Sequence, residues 1–244
     1  MSRAELSSRT IFVPKRFCGP PSSGNGGYTC GLISAAMGLP AEVTLRKPIP
    51  IERDLHIHSV DAQNSEIQVK AGEDLIAEAS PVNWAVELPS VQVDFEEASK
   101  ASENSPALFD HPFPTCFVCG PDRAVGDGLR IFPGALEKDG STYYAAPWIP
   151  DTSLSGDHGN VRDEIIWAAM DCPTGFAGGF ASAGTLVTGR LGARLLAPVR
   201  VGEKCILLSW ALGVEGRKHI SEAVLLGEDG TLRAESKATW IKLG

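Results

Sequence analysis

Val161-Arg-Asp-Glu-Ile-Ile-Trp-Ala-Ala-Met-Asp-Cys172 follows directly on His158-Gly159-Asn160. Its apolar residues form no stripe. Ile165, Ile166, Trp167, Ala168, Ala169 and Met170 cover every face of a helix, which predicts a helix buried on most sides. Glu164 and Asp171 bracket the run seven residues apart, about two turns and so nearly on one face. An acid at the end of a buried helix must be paired, face a cleft or take part in chemistry. Pro173 is expected to break the helix, so Asp171 reads either as a satisfied terminal residue or as half of a site.

Working outward, the order of elements around this helix occurs twice. In the first half, residues 10–13 read as a strand stopped by Pro14. The turn-rich Gly19-Pro-Pro-Ser-Ser-Gly-Asn-Gly-Gly27 follows, and then a short apolar helix over residues 28–37, closed by Gly38 and Pro40. Three β-like stretches come next, 42–51, 55–60 and 66–84, the last broken at Gly72-Glu73-Asp74. In the second half, residues 129–132 and 141–145 read as strands ahead of the 157–172 stretch. The stretches 186–201, 204–214 and 218–243 then form the meander, with a turn at Gly227-Glu228-Asp229.

The repeat reaches single residues. Residues 43–51 lie over 193–201 without a gap, matching Leu45 with Leu195 and Pro48 with Pro198. Ala77-Glu78 lies over Ala234-Glu235, and Ala35-Ala36-Met37 over Ala168-Ala169-Met170. Two copies are too few for a solenoid. They predict two like units packed about an approximate two-fold axis, with residues 1–88 as the first, 89–114 as a polar connector, and 115–244 as the second. A short helix is expected near residues 95–101 of the connector.

Composition narrows the function classes. The 244 residues carry 43 % hydrophobic and 21 % charged side chains, an ordinary globular balance, and a net charge of −8. There is no basic field for nucleic acid, and no run nears the roughly 18–20 apolar residues of a membrane span. The polar N-terminus lacks the apolar core of a secretory signal. Six cysteines in so long a chain do not form a disulfide scaffold, so a reduced, cytoplasmic compartment is expected. The pair Cys116-Phe-Val-Cys119 supplies at most half of a structural zinc site. Cys18, Cys30, Cys172, Cys205, His111 and His158 would complete one only if the fold gathered them. A compact turn with two small buried thiols, and no metal, is the expectation.

Strand, glycine loop, buried helix and antiparallel meander is the order of the hotdog fold. Cys116-Phe-Val-Cys-Gly-Pro-Asp-Arg, running on to Gly126-Asp-Gly-Leu129, resembles the C-F-x-C-G-x-x-N-P-x-G-L stretch of hotdog acyl-CoA thioesterases. Leu195-Leu-Ala-Pro-Val-Arg-Val-Gly202, Gly216-Arg-Lys218 and Asp229-Gly-Thr-Leu-Arg-Ala234 are similar to later parts of that family. Asn25-Gly-Gly-Tyr28, Leu45-Arg-Lys-Pro48 and Leu75-Ile-Ala-Glu78 resemble the N-terminal unit of its tandem members. The resemblance implies an α+β fold of two hotdog units in tandem, each an antiparallel sheet wrapped around a central buried helix.

It also implies a site. In the family the helix opens with H-G-G, whose backbone N–H polarises the thioester carbonyl. An Asp or Glu nine residues after that histidine acts as nucleophile or base, and the two elements come from opposite subunits. Here Asn25-Gly26-Gly27 keeps the glycines, but the acid position falls on Ser34. Counting back from Asp171 puts Arg162-Asp163-Glu164 where H-G-G belongs. Aligning His158-Gly159 instead places Trp167 at the acid position. One divided site is therefore expected, with Asn25, Gly26 and Gly27 of one unit facing Asp171 of the other. The carboxylate would stand about 6–8 Å from the glycine N–H groups, with room for a carbonyl between them.

Glu164 joins Asp171 as a catalytic candidate, and Thr174 is expected to hold the carboxylate or its water. His158 and Gly159 are secondary candidates, and Arg190, Arg194, Arg217 and Lys218 are candidates for the phosphates of coenzyme A. Coenzyme A enters only as part of the substrate, and no other cofactor is expected. The ligand is an acyl thioester, and assembly into a homo-oligomer is compatible with the fold. Besides acyl-CoA hydrolysis, two readings stand: non-catalytic acyl-CoA or lipid binding, and an enoyl-CoA hydratase or dehydratase using Asp157 and His158.

Overall fold

The structure is a computed structural model and describes residues 9–60, 66–180 and 182–244. The expectation of a polar N-terminus rests mostly on residues 1–8, outside this range. In chain order the first half comprises β1 (Thr10–Phe12), α1 (Gly26–Met37), β2 (Ala41–Leu45), β3 (Asp54–Ser59), β4 (Ile67–Ala71) and β5 (Asp74–Pro81). After α2 (Phe95–Ser102) come β6 (Gly134–Lys138), β7 (Ser141–Trp148), α3 (Asp163–Ala177), β8 (Leu186–Leu195), β9 (Cys205–Glu215), β10 (Lys218–Gly227) and β11 (Leu232–Lys242). Among the described residues the strands form one antiparallel sheet, ordered β1-β3-β4-β5-β2-β8-β11-β10-β9-β7-β6.

The two halves join at β2 and β8, and the register there carries the repeat into three dimensions. Leu45 pairs with Ala77 as Leu195 pairs with Ala234, and Thr44 with Glu78 as Arg194 with Glu235. At the seam Glu42 pairs with Gly192, its own counterpart in the alignment of 43–51 with 193–201. A residue faces its own counterpart only on a two-fold axis. The chain is therefore α+β, two units each wrapping sheet around a buried helix.

Helix α1 starts at Gly26, two residues before the expected Tyr28. The Asn25 side chain accepts the Tyr28 N–H at 2.9 Å, and Gly38 ends the helix in the left-handed region at φ 73°. Its glycines serve a crossing with α3. A Cβ on Gly31 would lie 2.6 Å from Glu164 Cα, and one on Gly27 would lie 2.6 Å from the Trp167 carbonyl oxygen. Matching Ala35 with Ala168 makes Glu164 the counterpart of Gly31, so the helices also cross on the axis. Gly31→Ala is expected to cost about 1–3 kcal/mol through overpacking. A denaturant titration showing an unchanged midpoint would contradict this close crossing.

Two expectations need correction. Pro173 does not end α3, which continues to Ala177. The proline removes one N–H from the helix ladder, but hydroxyls crowd around its carbonyls. Ser209 donates to the Pro173 carbonyl at 2.8 Å, Ser221 to that of Thr174 at 2.6 Å, and Ser236 to that of Met170 at 3.4 Å. These serines, buried on β9, β10 and β11, give carbonyls around the proline partners beyond the helix's own ladder. Residues 129–132 form no strand. Leu129 and Ile131 N–H groups bond the Phe117 and Val118 carbonyls, Arg130 has φ 53°, and the strand begins only at Gly134. The short helix expected in the connector is present: Asp94 and Glu97 form a reciprocal cap for α2, whose Ala98 and Ala101 join Ala145, Ile206 and Leu208 in a second core.

Candidate active site

Asp171 sits in the middle of α3 with 1 % of its surface exposed, where that helix meets the N-terminus of α1. Its Oδ2 accepts the Gly27 N–H at 2.8 Å and the Asn25 amide at 3.4 Å. Its Oδ1 accepts the Thr188 hydroxyl at 2.9 Å. Burial pushes the carboxyl up to about 7, while the bonds from Gly27, Thr188 and Asn25 pull the other way. The positive end of the α1 dipole also faces this acid.

The expected gap between acid and glycines is absent. A Cβ on Gly27 would stand 2.5 Å from Asp171 Cβ. The bare backbone lets α3 press onto α1, so Asp171 takes the Gly27 N–H itself. Gly26 is left as the open donor. As the first residue of α1 it has no partner for its N–H within the helix, and it lines the cavity beside Asp171.

That cavity measures about 540 Å³. Asn25, Gly26, Asp171 and Thr188 form its polar end, and Phe176, Phe180, Leu186 and Trp240 are among its apolar walls. This is the form of a ligand site, mostly apolar with a few convergent polar groups. Arg46 and Lys47 also line it; Arg46 pairs with Glu78 at 2.6 Å and Lys47 with Asp74 at 2.5 Å, all partly exposed.

Thr188 carries no sequence signal; its role depends on the β8–β11 ladder. Trp240 pairs with Thr188 and Thr239 with Arg190, so the register skips Gly189. Such a bulge re-aims the neighbouring side chain. Thr174, expected in the role that Thr188 fills, is locked elsewhere. Its hydroxyl donates to the Asp171 backbone carbonyl at 2.5 Å and accepts the Trp240 indole N–H at 2.8 Å.

Other candidates lie away from the site. Glu164 is in the first turn of α3, with Oε1 3.6 Å from Arg162 Nε, and does not line the cavity. His158 and Gly159 are exposed in a 3-10 turn with Asp157, so the hydratase pair does not reach the cavity. Arg190 pairs with Glu42 at 3.2 Å, and Arg194 with Glu235 at 2.8 Å. Arg217 and Lys218 are exposed at the β9–β10 turn. Helical periodicity put Glu164 on the same face as Asp171, but about two turns of offset along α3 and the helix crossing set them apart.

Cys116, Cys119, Cys172 and His111 line the same cavity. Cys116 and Cys172 Sγ stand 3.8 Å apart, and His111 Nε2 lies 3.1 Å from Cys119 Sγ. Burial pushes His111 below its ordinary value. Asp171 has no acidic counterpart in the first unit, where the alignment places Gly38, the residue that ends α1.

No family model matches the sequence, and no curated protein matches it. Among solved structures, the tesB protein of Mycobacterium avium subsp. paratuberculosis superposes with a TM-score of 0.60 at 11 % identity, covering 91 % of this chain and 88 % of its own. The thioesterase HI1161 of Haemophilus influenzae gives a TM-score of 0.43 at 20 % identity, over 50 % of this chain and 83 % of its own. The smu.793 protein of Streptococcus mutans, bound to acetyl-CoA, gives 0.40 at 11 % identity, over 47 % of this chain and 89 % of its own. The match along nearly the whole chain shows the fold.

Proposed function

We propose that this tandem hotdog protein hydrolyses acyl thioesters, acyl-CoA foremost, at the junction of its two units. The observation that carries the reading is Asp171 itself. It is a buried acid at the polar end of a mostly apolar cavity, held by Gly27, Asn25 and Thr188. A carboxylate accepts about four hydrogen bonds, so three donors leave one lone pair for a water on the cavity side. That water attacks the thioester carbonyl carbon as Asp171 takes its proton. The oxyanion forms at the α1 N-terminus, where Gly26 N–H is open and the helix dipole is favourable. Collapse expels the thiolate, which takes the proton back from Asp171. The apolar walls receive the acyl chain, and Arg46 and Lys47, rather than the four basic residues named from sequence, are near enough to meet coenzyme A phosphates.

Release of free thiol across a panel of acyl-CoAs tests this reading, and no turnover on any chain length removes it. Thr188 is a positioning residue, since it acts through Asp171. A hydrogen bond to a charged group contributes about 1.5–3 kcal/mol. Thr188→Val is therefore expected to lower kcat roughly 10–150-fold with KM unchanged, and Thr188→Ser to restore it. An equal rise in KM would make Thr188 part of the binding surface instead.

Binding without turnover is the second reading. The occupied Gly27 N–H favours it, because one of the two donors expected for the oxyanion is already spent on Asp171. Acyl-CoA held tightly and released intact would establish this alternative.

A further inference from the structure

Three of the six cysteines converge on one point, although Cys172 is far from the other two in sequence. The Sγ atoms of Cys116, Cys119 and Cys172 all lie within 4.8 Å of one another, and all three residues are buried. A tetrahedral zinc ion with Zn–S bonds of about 2.3 Å sets its sulfur atoms about 3.8 Å apart. The Cys116–Cys172 separation is 3.8 Å. Every cysteine in the chain is free, and a third sulfur has no place in a disulfide.

The turn that presents the first two sulfurs is tightly closed. Cys116 and Cys119 have the C-x-x-C spacing of zinc ligands. Gly120 closes the turn by bonding the Cys116 carbonyl at 2.9 Å, and a Cβ there would lie 2.5 Å from that oxygen. His111 completes the surroundings. Its Nδ1 accepts the Phe113 N–H at 2.9 Å, which leaves the proton on Nε2. His111 therefore donates to Cys119 Sγ at 3.1 Å, a second-layer contact of the kind that holds a metal ligand in place.

We propose that Cys116, Cys119 and Cys172 bind a zinc ion as three thiolates, and that its fourth position is filled from the cavity they line. Soft thiolate ligands favour zinc among the available divalent ions. The ion would tie the Cys116 turn to α3 and fix one wall of the cavity. Neither the ion nor its site takes part in the hydrolysis described above, so either proposal can fail alone.

The test is metal analysis of the full chain purified without chelator. About one zinc per chain is expected. After the zinc is removed and replaced with Co²⁺, thiolate-to-cobalt charge-transfer absorption is expected in the near ultraviolet. Cys119→Ser should lose the zinc and most of that absorption, and Cys205→Ala, a buried cysteine outside the cluster, should keep both. His111→Ala should weaken zinc binding about 10–100-fold. If Cys119→Ser does not fold, chelation of the wild-type chain decides: a lower thermal midpoint, restored by zinc, supports the site. Zinc well below stoichiometry with no cobalt–thiolate absorption overturns it. So does copper or iron in place of zinc, or a Cys119→Ser chain that binds as the wild type does.

Discussion

Asp171→Asn is expected to lower the turnover of acyl-CoA hydrolysis by about 10²–10⁴-fold, the usual contribution of a positioned base. The substitution is close to isosteric. The amide oxygen can still accept the Gly27 N–H, and the Thr188 hydroxyl can turn to accept from the amide nitrogen. What is lost is the group that takes a proton from water. Asp171→Ala would be a poorer test, because it strands three donors around an empty space: Gly27, Asn25 and Thr188. Circular dichroism and the thermal midpoint should match the wild type, and KM for acyl-CoA should change little. A variant that hydrolyses at the wild-type rate would remove Asp171 from the chemistry and leave it a structural acid between two helices.

Trp167→Ala is expected to produce the largest loss of stability, about 3–5 kcal/mol. Trp167 is 1 % exposed and among the largest fully buried side chains. It lies on α3 against Gly31, at the crossing that carries Asp171 onto Gly27. Truncation leaves a void that the flanking helices cannot close, because sheet encloses both. For a chain of this length the thermal midpoint should fall by roughly 6–20 °C. Denaturant unfolding followed by fluorescence and circular dichroism measures the change. A loss under about 1 kcal/mol would mean that the crossing is looser than its geometry.

The fold was legible because hydrophobic period and turn chemistry are local. The all-round apolar run from Ile165 to Met170 announced an enclosed helix, and the gapless match of 43–51 with 193–201 announced the two-fold, which the Glu42–Gly192 pair then displays. Half of the site was legible through the family resemblance: its glycines stand without the acid on one helix and the acid without the glycines on the other, which implied one divided site. The distance between them was not. It depends on how closely two helix backbones approach, and Gly27 and Gly31 together set that at contact. The reach of α3 past Pro173 was hidden too, because the serines that bond carbonyls around the proline come from three strands distant in sequence.

The sequence by itself determined the order of elements, the duplication and the two buried helices, and its family resemblance implied the pairing of Asp171 with the Asn25-Gly26-Gly27 turn. Periodicity, capping residues and repeated motifs are properties of neighbouring residues, so a linear reading retains them. Only the tertiary structure decided that Thr188 and not Thr174 holds the carboxylate, and that Arg46 and Lys47 rather than Arg190 or Arg194 stand at the cavity. It alone brought Cys172 within reach of Cys116 and Cys119. Each of these follows from strand register, a bulge at Gly189 or the crossing of α1 and α3. Such contacts join residues far apart in the chain, and their energies come from packing that no single segment contains.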